Sequence, residues 1–368
     1  MKDVLIVCGG TGGHLAPGIA LAQEFHARGH SSHLYISKKS IDAQIAKKYA
    51  GISFDSILGK AFSNGLLGRI QSCLDLLLSI PKIILEILKH KPKVIILFGG
   101  FLSVGFGIIG YLFNQKIILH EANCSVGKAV RLLKHFAVRI YLPDGVTLKH
   151  VSQSSVKHLG YPLRKEFVFR DQRAARADLG LHIEGKLLVV IGGSQGAEAL
   201  NKWVINHFDY FANLGVSIYC ITGLHSGLSS EDCIPINDKQ TVHVKMLPFT
   251  DNMVSVLSAA DLVVSRAGAG AIAEIIRCRV PSILIPYPYA ADNHQERNAQ
   301  MHENAGGGIH IKQTALDSLK HEVEYLIFNE SVLEQFRINL EGLNKIDSSA
   351  AIVQDVQDNF FPLAKRSD

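Results

Sequence analysis

Short, continuous apolar runs alternate with helical patterns from one end of the chain to the other. In the first half the runs are Val4 to Cys8, His33 to Ile36, Ser53 to Ile57, Val94 to Phe98, Lys116 to His120 and Arg139 to Leu142. In the second half they are Leu187 to Ile191, Val216 to Ile221, Val242 to Met246, Leu262 to Val264 and Ser282 to Ile285. Runs that stay apolar, instead of alternating with polar positions, indicate strands buried on both faces. Each half therefore predicts a parallel sheet between layers of helices, and the chain a pair of doubly wound α/β domains. The strand pattern stops around Gly160-Tyr161-Pro162-Leu163-Arg164, and a charged helix, Asp171 to Leu179, follows. The domain expectation is residues 1–163, residues 164–345, and a C-terminal helix in 346–368 that is a candidate to pack back on the first domain. After about Thr314 only helical pattern remains.

A length of 368 residues fits two domains, and 47% hydrophobic against 19% charged residues excludes a disordered chain. Six cysteines without a Cys-x-x-Cys pair suggest neither a disulfide framework nor a zinc ribbon, and fit reduced thiols in a cytoplasm. The N-terminus runs from Met-Lys-Asp into Val4 to Cys8, too short an apolar stretch for a secretory signal, so the chain is expected to stay where it is made. Val94 to Phe113 is free of charge over a bilayer-spanning length. Its five glycines favour a strand, a Gly99-Gly100 turn and a buried helix over a membrane span. The net charge of +5 hides an asymmetry: residues 1–164 hold 20 Lys and Arg against 8 Asp and Glu, whereas the remainder holds 18 against 25. A basic half attracts phosphates, anionic lipid or nucleic acid, and charge alone does not choose among them.

Ligands of open α/β sheets bind beyond the carboxyl ends of the strands, where loops meet helix N-termini. Gly9-Gly10-Thr11-Gly12-Gly13-His14 follows the first strand and enters a helix. Its glycines let backbone N–H groups approach an anion, although a tight turn without a ligand would read the same way. A dinucleotide fingerprint is not met, because the sixth position counted from Gly10 is Leu15, and the second strand ends at Ser37-Lys38 without an acidic ribose ligand. The second half repeats the device in Gly192-Gly193-Ser194-Gln195-Gly196-Ala197 and Ser265-Arg266-Ala267-Gly268-Ala269-Gly270. Two such loops at neighbouring strand ends make a diphosphate pocket the better reading. Glu274, four residues on, could accept from a ribose diol or simply sit favourably near a helix N-terminus. Pro286 to Gln295 is rich in amide and carboxylate groups that suit sugar hydroxyls.

Together, Gly-Gly-Thr-Gly-Gly-His (9–14), His-Glu-x-Asn (120–123), Gly-x-Pro-x-Arg (160–164), Gly-Gly-Ser-Gln-Gly-Ala (192–197), Ser-Arg-Ala-Gly-Ala (265–269) and Asp-Asn-His-Gln (292–295) resemble one family. These are the MurG-type N-acetylglucosaminyltransferases of bacterial peptidoglycan synthesis, which make lipid II from lipid I. The resemblance implies a GT-B fold of two Rossmann-like domains with the active site in the cleft between them. It implies an acceptor-binding, membrane-associating N-terminal domain and a C-terminal domain for UDP-N-acetylglucosamine. The reaction it implies is an inverting transfer to the muramyl C4 hydroxyl of undecaprenyl-linked lipid I, without cofactor or metal. Carried over by position, Thr11, Gly12, Gly13 and Asn123 contact the donor from the N-terminal side, and Arg164 and Ser194 hold its diphosphate. Thr250 falls where uracil is read by the main chain. The loop Ala269 to Glu274, with Gly270, holds phosphate and ribose, and His294 and Gln295 reach the sugar hydroxyls. Three places depart from the family pattern: Tyr161 for a common Asn, Ala122 for a usual Gln, and Ser103-Val104-Gly105 where Ser-Gly-Pro is typical.

Inverting transfer needs a base at the attacking hydroxyl and positive potential at the leaving diphosphate. His14 is the candidate base, because the dipole at a helix N-terminus disfavours its protonated form. No Asp-x-Asp occurs, and His26, His30 and His33 straddle a helix end and a strand, so no metal site is expected. Leu67, Ile70, Leu74, Leu77, Leu78, Pro81, Ile84, Leu85 and Leu88 recur at helical spacing near Lys82, Lys89, Lys91 and Lys93. That stripe reads either as core or as a face dipping among headgroups. With the basic first half it favours an anionic membrane surface as partner and a peripheral place on the cytoplasmic face of the plasma (inner) membrane. Other cell-wall and division proteins are further candidate partners. No nucleic acid is expected, because the basic residues are not interleaved with aromatics. Another GT-B enzyme acting on a UDP-sugar, with a soluble acceptor or as a UDP-N-acetylglucosamine 2-epimerase, and a non-catalytic sugar-nucleotide scaffold remain the alternatives.

Overall fold

A computed structural model of the protein describes residues 1–9, 12–37, 48–49, 51–57, 66–193, 196–237 and 240–361. Thr11 and Ser194 lie outside the described residues, as do the side chains of Leu67 and Ile70. The chain divides into two compact units, the first formed by Met1–Lys165 with Ile346–Asp368, the second by Glu166–Lys345.

The first unit is a seven-stranded parallel sheet in the order β3-β2-β1-β4-β5-β6-β7. Its strands are β1 (Val4–Cys8), β2 (Ser32–Ser37), β3 (Phe54–Ile57), β4 (Val94–Leu97), β5 (Lys116–His120), β6 (Ala137–Leu142) and β7 (Val156–His158). Side chains of a strand alternate between faces, so β1 feeds two cores. Val4, Ile6 and Cys8 pack with α1 (Gly12–Ala27) and the C-terminal helix, whereas Leu5 and Val7 join Ile83, Ile87, Phe106 and Leu133 on the opposite face. On that second face lie α2 (Leu66–His90), α3 (Gly100–Leu112) and α4 (Lys128–Leu133). The charge-free stretch from Val94 thus becomes a strand, a glycine turn and a mostly buried helix, and no helix among the described residues is long and apolar enough to cross a membrane.

The second unit repeats the plan with the order β10-β11-β9-β8-β12-β13-β14. Its elements are α5 (Gln172–Asp178), β8 (Lys186–Ile191), α6 (Glu198–Asn213), β9 (Val216–Ile221), β10 (Ser230–Asn237), β11 (Gln240–Leu247), α7 (Met253–Ala259), β12 (Leu262–Ser265), α8 (Ala269–Cys278), β13 (Ser282–Leu284), α9 (His294–Asn304), β14 (Gly308–His310), α10 (Leu319–Ile327) and α11 (Glu330–Leu343). The sheet is parallel except for its edge, where β10 runs antiparallel to β11. The last helix of the chain, α12 (Ser348–Phe360), belongs to the first unit, with Ile352, Val353 and Val356 buried against α1.

Candidate active site

The strand order of the first sheet turns back between β1 and β4, and at such a switch point neighbouring loops diverge and leave a crevice. The β1 and β4 loops meet there. Gly100 has φ 75, and a Cβ on it would lie 2.2 Å from the Gly9 carbonyl oxygen, so only glycine allows this contact. His14, in the first turn of α1, sits over both loops with Nδ1 2.8 Å from the Gly9 carbonyl oxygen. A carbonyl only accepts, so Nδ1 carries the hydrogen in the neutral ring and Nε2 holds the lone pair. His120, at the end of β5, is fully buried, and burial pulls its pKa down to about 4 against the opposing hydrogen bond to the Gly160 carbonyl. It is therefore neutral near pH 7.

After β5 the chain turns through Glu121 to Gly127 before α4. Glu121 is buried and its carboxylate organises this turn, accepting from Asn123 N–H at 2.9 Å, Asn123 Nδ2 at 3.1 Å and Gly127 N–H at 2.7 Å. Gly12 and Gly13 open α1, and the Tyr161 hydroxyl donates to the Gly13 carbonyl at 3.1 Å, so this departure from the family pattern braces the glycine turn. Arg164 donates to the Tyr49 hydroxyl at 2.9 Å within the same unit. The sequence-predicted residues Gly12, Gly13, His14 and Asn123 thus share one sheet edge.

The second sheet turns back between β8 and β12, which places Gly192-Gly193 beside Ser265 to Gly268. Ala269 and Gly270, expected on a loop, instead open α8, and Glu274 lies in the first turns of that helix. The helix begins there because Gly268 is extended and no side chain caps it, which leaves first-turn N–H groups available to an anion. Thr250 lies beyond β11 with its hydroxyl accepting from Asn252 N–H at 3.1 Å. His294 opens α9 with Nδ1 2.6 Å from the Ala291 carbonyl, and Gln295 Oε1 accepts from Tyr287 N–H at 2.9 Å. Arg266 belongs to a motif, but the sequence alone assigns it no role. It donates to the carbonyls of Ile285 (3.1 Å) and Pro286 (3.3 Å) and to Gln313 (2.6 Å), clamping the start of the loop that leads to His294 and Gln295. Buried Asn298 holds the Ala267 carbonyl from α9 in the same way. Such bracing residues carry no distinctive spacing. Their only sequence signal is a polar side chain next to a glycine loop.

The three spaced histidines take separate partners: His26 meets Ser32, His30 meets Gln357, and His33 meets Ser53 and Asp55. Among the described residues no group of three or more His, Cys, Asp or Glu is arranged to hold a metal ion. On α2, Ile83 and Ile87 turn inward and Ile84 is half-buried. Leu74, Leu77, Leu78, Pro81, Leu85 and Leu88 face outward, with Leu77, Leu78 and Leu85 at 60%, 70% and 62% exposure.

Comparison with known proteins bears on the fold and the family. Residues 4–142 match the Glycosyltransferase family 28 N-terminal domain and residues 187–349 its C-terminal domain. A protein of Opitutus terrae named UDP-N-acetylglucosamine--N-acetylmuramyl-(pentapeptide) pyrophosphoryl-undecaprenol N-acetylglucosamine transferase is 41% identical over 97% of this chain and 95% of its own length. A Prochlorococcus marinus protein of the same name is 32% identical over the full length of both. Among solved structures, that of Acinetobacter baumannii MurG superposes with a TM-score of 0.72 over 97% of this chain and all of its own, at 19% identity, and shows the shared fold.

Proposed function

The chain belongs to glycosyltransferase family 28, among the N-acetylglucosaminyltransferases that make lipid II, and from that membership we propose how its residues carry out the transfer. The enzyme moves N-acetylglucosamine from UDP-N-acetylglucosamine to lipid I. The muramyl C4 hydroxyl attacks the anomeric carbon from the face opposite UDP. A C–O bond forms, the bond from that carbon to the phosphate oxygen breaks with its electron pair leaving on the diphosphate, and His14 Nε2 takes the hydroxyl proton. The observation that carries this reading is the Gly9 carbonyl on His14 Nδ1, which makes Nε2 the basic nitrogen of the ring at the switch point of the first sheet. Arg164, Ser194 and the first-turn N–H groups of α8 at Ala269 and Gly270 stabilise the departing charge. Glu274 takes the ribose, the main chain at Thr250 the uracil, and His294 with Gln295 the sugar hydroxyls. Gly12, Gly13, Thr11 and Asn123 meet the donor from the first unit. No metal is required of this set, so chelation should leave turnover unchanged.

The acceptor carries a polyprenyl chain, so the enzyme must work at a bilayer it does not cross. The outward leucines of α2 lie in the headgroup region, with Lys82, Lys89, Lys91 and Lys93 against anionic lipid on the cytoplasmic face of the membrane. Other cell-wall proteins would meet the enzyme there. The deciding experiment supplies purified protein with UDP-N-acetylglucosamine and synthetic lipid I, extracts with butanol, and looks by mass spectrometry for one added N-acetylhexosamine. A water-soluble product, or none, would overturn the reading.

A further inference from the structure

We infer that Tyr161 is a positioning residue for His14: its hydroxyl supplies the hydrogen bond that Pro17 denies to the Gly13 carbonyl, and so fixes the peptide plane on which the base is mounted. The inference rests on the functional reading above, in which His14 is the base, and adds a residue that supports it.

In a regular helix the Gly13 carbonyl would accept from the N–H of residue 17. Residue 17 is a proline inside α1, so that N–H does not exist, and the pyrrolidine ring crowds the carbonyl four residues back. The Tyr161 hydroxyl donates to this carbonyl at 3.1 Å. A carbonyl and the N–H that follows it belong to one rigid, planar peptide. Holding the Gly13 oxygen therefore sets the direction of the His14 N–H and the position of its Cα. The other end of the residue is held by the Gly9 carbonyl, 2.8 Å from Nδ1, so the backbone and the ring of His14 are anchored separately.

Tyr161 can hold a neighbour because its own segment is fixed. Leu159 N–H donates to the Leu142 carbonyl at 3.1 Å, and the buried, neutral His120 donates through Nε2 to the Gly160 carbonyl at 3.4 Å. Beyond Tyr161, the Leu163 carbonyl accepts from the Ser349 hydroxyl at 3.1 Å, and Lys165 N–H donates to Gln23 Oε1 on α1 at 3.0 Å. The segment is thus tied to the same helix twice, at Gly13 in its first turn and at Gln23 further along.

Tyr161→Phe removes the hydroxyl and keeps the ring. It should lower kcat about 10- to 100-fold, the range for a catalytic group displaced by up to about 1 Å. Pro17→Ala returns to the helix an N–H that can bond the Gly13 carbonyl. In that background the hydroxyl is redundant, and Y161F should change kcat by no more than about 2-fold. In a His14→Ala background it should likewise cost no further turnover, because the residue it acts through is gone. A merely structural hydroxyl would cost the same factor in every background. An undiminished loss in either background, or near-normal kcat in Y161F alone, overturns the inference. A second measurement does not depend on activity. The chain has two Gly-His pairs, at 13–14 and 29–30. With 13C on glycine carbonyls and 15N on histidine amides, only these two peptides give a carbonyl–nitrogen correlation. Y161F should move the Gly13 signal to higher field, as loss of a hydrogen bond does, and leave the Gly29 signal in place. An unmoved Gly13 signal overturns the inference even where a variant is inactive. Wild-type protein that transfers nothing to lipid I is a separate result, which condemns the functional reading, while the carbonyl signal still reports whether Tyr161 holds Gly13.

Discussion

His14 is placed to act through one atom, and its removal should be felt in turnover far more than in folding. His14→Ala should lower kcat by about 100-fold or more, the range for a general base, with the melting temperature unchanged because the ring is only half-buried. Near-normal kcat in this variant would take the role away. Two other histidines act on stability. His120 in the first unit and His302 in the second are buried, and burial brings the pKa of each down to about 4. Both states are neutral above the unfolded value near 6.5. Between there and about 4 the unfolded chain binds a proton that the folded chain refuses, so stability falls as pH drops through this window. From pH 7 to pH 5 each histidine should cost about 2 kcal/mol. Urea midpoints at the two pH values check this, and His302→Gln, which can keep the contact to Ser282 Oγ, should shrink the loss. At this scale the sequence singles out residue types, in the glycine turns, His14 and Asn123, but not their hydrogen-bond partners: the Gly9 carbonyl beside His14 and the Glu121 carboxylate beside Asn123 become neighbours only through the backbone turn.

Among the elements, α2 shows how two apolar faces of one helix can have different fates. Its residues at positions 76, 80, 83 and 87 lie toward the sheet, and a Cβ on Gly105 of α3 would come 2.9 Å from Leu76 Cδ1 and Ile83 Cδ1. The glycine that departs from the family pattern is thus where α2 presses on α3. Position 74 and positions 77, 78, 81, 85 and 88 form the opposite face, which is left exposed among the described residues. Periodicity alone gave both faces similar apolar content, so the choice between core and membrane could not be made from spacing. Leu77→Asp with Leu85→Asp should weaken flotation with anionic liposomes at least about 10-fold, given the apolar area each leucine contributes to the interface. The melting temperature should hold, because neither side chain is packed. Loss of binding together with loss of folding would instead make this face structural. The strands anticipated as continuous apolar runs all occur, whereas β7, β10 and β14 were not foreseen. β7 and β14 are three residues long, and β10 is a polar edge strand containing Pro235 that only its pairing with β11 defines.

For the molecule as a whole, the path of the chain matters as much as the motifs. The first unit is closed by a helix about 200 residues further along the sequence, and one buried carboxylate fastens it. Asp355 on α12 lies 2.9 Å from Arg139 Nε, 2.6 Å from Lys157 Nζ and 2.7 Å from the Tyr141 hydroxyl, joining the helix to β6 and β7. Burial and the neighbouring carboxylate push the Tyr141 phenol well above its usual range, so it remains a donor. Arg28 reaches Gln354, Gln357 and the Ala350 carbonyl, and Ser349 holds the Leu163 carbonyl at the end of the first unit's main segment. No local pattern links residues so far apart. The sequence predicts a helix in 346–368 as a candidate to pack back on the first domain, but the residues that fasten it to β6 and β7 become neighbours only in the folded chain. Removing one member of a buried ion pair leaves the others desolvated and unpaired, which typically costs about 3–5 kcal/mol. Asp355→Ala should therefore destabilise the first unit by roughly 3 kcal/mol, since Lys157 is half-exposed and can turn to water. Hydrogen exchange resolves where the loss falls. Amides of α1, β6 and α12 should exchange faster, while those of β8, β9 and β12 in the second unit keep their protection. Equal loosening of both units would mean that the C-terminal helix supports the whole protein instead of the unit it returns to.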